Sequence, residues 1–253
     1  MAAPLQAVIE RFFEQCRQQN TSAGLSFESM SQDVEDTLRG NEFLSQYGYS
    51  PFPNYDINSL PLRRFDRSNF VGYYRYLDIL TNRICQLAGT SVPIKELRRS
   101  LGEVMANACE HSRAKVDFFC CMQYSPTDKK ISFTFSDDGV GIRKNVNRFT
   151  GQNLTDVEAI EWAIKNGNST RQCQSDSQGT PGGLGLDIIR QFVAFNEGKL
   201  CVVSGQGFHS IVPDVVHDVL RTSLCGTTIH LEINTADTKP HRLRGWQNGT
   251  AKL

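Results

Sequence analysis

The sequence predicts an α+β sandwich in which helices pack against a sheet, and three observations predict it. Two stretches with helical apolar spacing, 68–88 and 93–111, are followed by two alternating strand-like runs at 116–124 and 130–137. A long loop then leads into one more helix near 184–196. Three short strands, 200–204, 208–212 and 227–234, close the pattern. This is not the strict strand–helix alternation of a doubly wound parallel fold.

The elements follow in order. Leu5, Val8, Ile9, Phe12 and Phe13 recur at helical spacing and predict a helix over 4–19. Leu25–Met30 reads as a short strand, and Ser31 as the cap of a second helix running to about Tyr47. Pro51, Pro53 and Pro61 make 48–66 a connector without regular structure. One strand cannot make a sheet, so this α-β-α segment must dock on something else or belong to a larger module. Phe70, Tyr73, Tyr74, Leu77, Leu80 and Ile84 line the apolar side of the next helix. That helix ends near Gly89, and Pro93 opens the one that runs to His111. Residues 138–181 read as loop with one helix around Thr155–Asn166, and the helix from Leu184 stops at Gly198. The expected organisation is a segment at 1–50, a connector at 51–67, a main domain at 68–234 and a frayed tail at 235–253.

Bulk properties narrow the function. The chain has 253 residues, with 27 Lys+Arg against 27 Asp+Glu, so no global field draws it to nucleic acid or anionic lipid. The balance favours protein or small-molecule partners. None of the eight cysteines forms a C-x-x-C pair, which removes the zinc-ribbon and thioredoxin spacings and leaves buried thiols of a reducing compartment. No signal peptide or membrane-length apolar run is visible, so a soluble cytoplasmic protein is expected.

Three stretches carry candidate chemistry. Glu103, Asn107 and His111 stack on one face of the 93–111 helix, at i, i+4 and i+8. An amide oxygen can coordinate Mg²⁺ without adding charge, and a carboxylate can orient or deprotonate a hydroxyl. The strand Ile131–Phe135 runs into Asp137-Asp138-Gly139-Val140-Gly141-Ile142. There Asp137 can accept from an exocyclic amine, and the glycines allow close backbone approach. Gly182-Gly183-Leu184-Gly185-Leu186 opens a helix, where bare N–H groups suit a phosphate. It is neither a Walker loop nor a dinucleotide fingerprint. Arg171 lies between the two glycine loops, in a stretch placed to fold over a nucleotide as a lid.

In this order the three stretches resemble the N-box and the two glycine boxes of the GHKL ATPases, over roughly residues 68–234. The resemblance implies a Bergerat fold, a mixed sheet with helices on one face, and binding of ATP with Mg²⁺. It implies that Glu103 is the catalytic carboxylate, Asn107 the Mg²⁺ ligand and Asp137 the adenine reader. Gly139, Gly141, Gly183 and Gly185 would make backbone contacts. Pro181 stands where many members have glycine, a departure at the phosphate contacts. The nearest types are the histidine-kinase-like ATPase domains and anti-sigma-factor serine kinases. The first histidine of the sequence is His111, so self-phosphorylation through a histidine ahead of the domain is not expected. The 1–50 segment is similar to the last part of a STAS-like domain.

The expectation is therefore a regulatory Mg·ATP-binding protein that phosphorylates or controls a protein partner, without nucleic acid or membrane. The alternative is a nucleotide-gated binding module with little turnover. A motor of the gyrase type is disfavoured, because no transducer segment follows residue 234. The apolar helix at 68–88 offers a face for a homodimer.

Overall fold

A computed structural model describes residues 2–50, 59–66, 70–88, 94–111, 118–165, 185–195, 197–212, 214–236, 246–247 and 250–251. Helices α1 (Ala2–Gln18) and α2 (Gln32–Gly40), then a 3-10 turn over Leu44–Tyr47, precede strand β1 (Ser59–Phe65). Helices α3 (Phe70–Ala88) and α4 (Ile94–His111) lead to strands β2 (Phe118–Ser125) and β3 (Lys130–Asp137). Helices α5 (Gly141–Thr150), α6 (Asp156–Ile164) and α7 (Gly185–Phe195) follow, then the long strands β4 (Lys199–Val212) and β5 (Asp214–Asn234). Trp246–Gln247 and Thr250–Ala251 form a two-residue antiparallel pair within the stretch expected to fray.

The α+β sandwich expected from the pattern is present. The sheet order is β1-β2-β3-β5-β4. All four of its described pairings are antiparallel rather than mixed, and helices cover both faces rather than one.

Side-chain alternation explains the two faces. Phe118, Cys120 and Met122 of β2 join Ile131, Phe133 and Phe135 of β3 in one core. That core is closed by Leu77, Leu80 and Ile84 of α3, Leu97, Leu101 and Val104 of α4, and Ile189, Phe192 and Val193 of α7. Phe119, Cys121 and Leu62 point the other way, into a second core with Ala3, Ala7 and Ile9 of α1 and Leu38, Phe43 and Leu44. Neighbouring Cys120 and Cys121 thus fall in opposite cores.

Several expected elements differ. Leu25–Met30 carries no strand: its Phe27 instead packs edge-on against Phe43, Tyr47 and Tyr49, so the 3-10 turn and its flanking residues take up its apolar side chain. Ser31 occupies the N-cap position of α2 but its side chain makes no cap hydrogen bond, and the helix stops at Gly40. The connector supplies β1, an edge strand. Pro61 lies where its register with β2 shifts, between Leu60 and Arg63, a place where a missing N–H costs no ladder bond. Residues 141–150, expected as loop, are helical. The strands expected at 200–204 and 208–212 are one element, and the strand at 227–234 begins instead at Asp214. The left-handed residue after α7 is Glu197, with φ of 52°, rather than Gly198. Among the described residues no helix is long and apolar enough to cross a membrane.

Candidate nucleotide site at the end of the third strand

β3 ends at Asp137, which belongs to the same alternating series as Ile131, Phe133 and Phe135 and so faces the helical core. Its residue exposure is 7%. Burial is the main influence on the carboxyl, which is pushed up to about 7. The Gly139 N–H, donating to Oδ1 at 2.7 Å, and a backbone hydrogen bond with Thr227 work against that rise, while neighbouring Asp138 adds to it. A carboxyl with so little water is poised to gain from any further donor.

The chain leaves Asp137 through a tight turn braced by β5 and β4. Gly141 has φ of 77°, and a Cβ there would lie 2.9 Å from the Ser204 hydroxyl. Gly226, with φ of 81°, backs onto the Asp137 carbonyl so closely that any side chain would overlap it. The Ser204 hydroxyl accepts from the Ile142 N–H at 2.8 Å and donates to the Gly226 carbonyl at 3.0 Å. Thus the glycine box is held from β4, more than sixty residues away in the chain.

Gly141 also opens α5, so the turn feeds a helix N-terminus. A cavity of about 580 Å³ adjoins it, lined by Gly139 and Gly141 together with Arg11, Arg143, Lys144 and Asp156. Neither Asp137 nor Glu103 lines this cavity, which lies on the α5, β4 and β5 side of the turn. Arg11 reaches it from α1 and pairs with Asp138 at 2.6 Å. Burial raises the Asp138 carboxyl, and the Arg11 guanidinium lowers it. Sequence reasoning missed this basic lining. The signal was Ile142, Val146 and Phe149 at i, i+4 and i+7, a short helical stripe of which Val146 is buried and Phe149 meets Trp162.

The other expected site residues are placed as follows. Glu103 sits on α4, partly exposed, between Gly102 and core Val104; Tyr73 of α3 donates to the Gly102 carbonyl at 2.7 Å. Asn107 and His111 are on the same helix, and their side chains lie outside the described residues. Gly185 is the first residue of α7. Arg171, Gly182, Gly183 and Leu184 lie outside the described residues. Leu101 and Val104 of α4, Phe135 of β3 and Ile189 of α7 share one core, so the elements bearing the three motifs pack on one face of the sheet. Asp187, in the first turn of α7, is buried and matched by Arg190 at 2.6 Å and Gln191 at 2.6 Å. No protein-family model matches the chain, and no curated protein matches it.

Proposed function

We propose that this chain binds ATP with Mg²⁺ on the face of the sheet covered by α3, α4 and α7, and uses it to phosphorylate or control a protein partner. The supporting observation is Asp137: a buried carboxyl at a strand end, followed at once by a glycine turn whose backbone is fixed from behind. The donor set fits an adenine. The Asp137 carboxyl accepts from the Gly139 N–H and has further acceptor capacity, and an exocyclic amine supplies the kind of donor a desolvated carboxylate needs.

Asn107 would hold Mg²⁺ through its amide oxygen, and the bound metal would neutralise charge on the phosphates. Glu103 would orient the acceptor hydroxyl and take its proton as the γ-phosphoryl group leaves ADP for that oxygen. α4 and α7 pack against the core that ends at Asp137, which supports a nucleotide reaching from the strand end toward both helices.

Calorimetric titration with Mg·ATP tests the reading. The Asp137→Asn variant is expected to lose binding, because the amide nitrogen turns a donor toward the adenine amine. The Glu103→Ala variant is expected to bind near normally and to lose turnover or transfer. Equal affinity of Asp137→Asn and the parent chain would remove the adenine assignment.

A further inference from the structure

The structure assigns a second site that the nucleotide reading does not use: Glu161, His209 and His217 form a three-ligand site for a zinc-class divalent cation. Their ligand atoms all lie within 4.8 Å of one another. The cluster joins two elements. Glu161 projects from α6, while His209 and His217 are direct cross-strand partners on the β4–β5 hairpin.

The distances suit coordination. His209 Nδ1 and His217 Nδ1 are 3.0 Å apart, and His217 Nδ1 is 3.1 Å from Glu161 Oε1. Zinc bonds of about 2.0–2.1 Å in a tetrahedron place neighbouring ligand atoms about 3.3–3.4 Å apart, so a few tenths of an ångström open the cluster around an ion. Two imidazoles and one carboxylate, with a water in the fourth position, are a borderline-soft donor set that favours zinc over magnesium or calcium.

His217 Nδ1 thus lies within hydrogen-bond distance of both Glu161 Oε1 and His209 Nδ1. A cation among the three engages a lone pair on each. His209 is buried, at 5% exposure. The His217 side chain is 43% exposed and Glu161 35%, which leaves a route for the ion to enter.

The surroundings are already built. Asp156, one turn earlier on α6, accepts from the Gln206 N–H at 3.0 Å, and Gly207 backs onto the Asp156 carbonyl with no room for a side chain. A bound ion would add a second fastening between α6 and the hairpin. Asp156 and Gln206 also line the 580 Å³ cavity, so the ion would stiffen that wall.

The test uses the full chain, stripped with a chelator, with thiols kept reduced and without nucleotide, so its outcome does not depend on the ATP reading. Titration with Co²⁺ should give one equivalent with the visible bands of a four-coordinate nitrogen and oxygen site, and Zn²⁺ should displace it. The thiolate charge-transfer band of cysteine ligation should be absent. His217→Ala, at a half-exposed position, should keep its circular dichroism spectrum and lose affinity at least tenfold, roughly the smallest effect expected near a metal. Glu161→Gln should weaken binding as well. No stoichiometric uptake, a thiolate band, or unchanged affinity in His217→Ala would each overturn the assignment.

Discussion

Asp137 is held where water barely reaches it, and the consequence for stability has a definite sign. Its pKa rises from 3.8 to about 7 on folding, so the native chain binds this proton more tightly than the unfolded one. The contribution to stability is therefore most favourable below about pH 4 and declines as pH rises toward 7. Asp137→Asn removes the ionisation and still offers Oδ1 to the Gly139 N–H. The variant is expected to be more stable than the parent above pH 7, by at most about 4 kcal/mol, and to lose that advantage near pH 4. Denaturant melts at both pH values check this. If Asp137 reads an adenine amine as a carboxylate, Mg·ATP affinity should fall below pH 7, toward tenfold per unit. Calorimetry at pH 8, 7 and 6 follows it. A nearby backbone position is equally sharp: Gly226→Ala meets the Asp137 carbonyl at a positive φ and should cost several kcal/mol, read as a lowered melting midpoint. The strand end at Asp137 and the tight turn at Gly141 were legible, because an acid, two glycines and a strand end are local facts. Gly226 and Ser204 were not, because their partners lie far along the chain and only the sheet register joins them.

At the scale of elements, α6 tests how much a helix start contributes. Thr155 accepts from the Glu158 N–H, and Glu158 accepts from the Thr155 N–H at 2.7 Å, a reciprocal cap. Thr155→Ala should destabilise the chain by roughly 0.5–2 kcal/mol, measured by thermal or chemical melting. The expected helix at this position began where that cap predicts. β1 and the β4–β5 hairpin escaped sequence reading for different reasons. β1 contains Pro61, which reads as a breaker until its edge position is known. In the hairpin Val212 stands opposite Asp214, and this register puts His209 against His217. Without the turn, two histidines eight residues apart carry no message. α5 was hidden by its many polar residues, although its short apolar stripe was there.

The whole molecule is a sheet covered twice. The helical side was legible from the periodicity of 68–111, whereas the second cover was not, since nothing local says that α1 crosses β2 and β3. Leu62, Phe119 and Cys121 are buried only because α1, α2 and the turn after it close over them. Deleting residues 2–47 uncovers these side chains, each of the large ones contributing about 1.5–3 kcal/mol by its burial. The shortened chain is expected to self-associate or unfold, which gel filtration and circular dichroism distinguish from the behaviour of the full chain. The N-terminal segment therefore acts as part of the folded body, tied down by Leu62 donating to the Asn41 carbonyl at 2.7 Å and Ser59 to the Gly40 carbonyl at 2.8 Å.

The link between Arg11 and Asp138 gives that cover a further consequence. Near its middle, α1 grips through Arg11 the residue that follows Asp137, so occupancy of the glycine turn and seating of the helix are thermodynamically reciprocal whenever either alters this ion pair. A ligand that favours the seated helix must itself bind better when the helix is seated, and by the same factor. Lifting the amino-terminal arm would then be felt in the turn as a change of affinity.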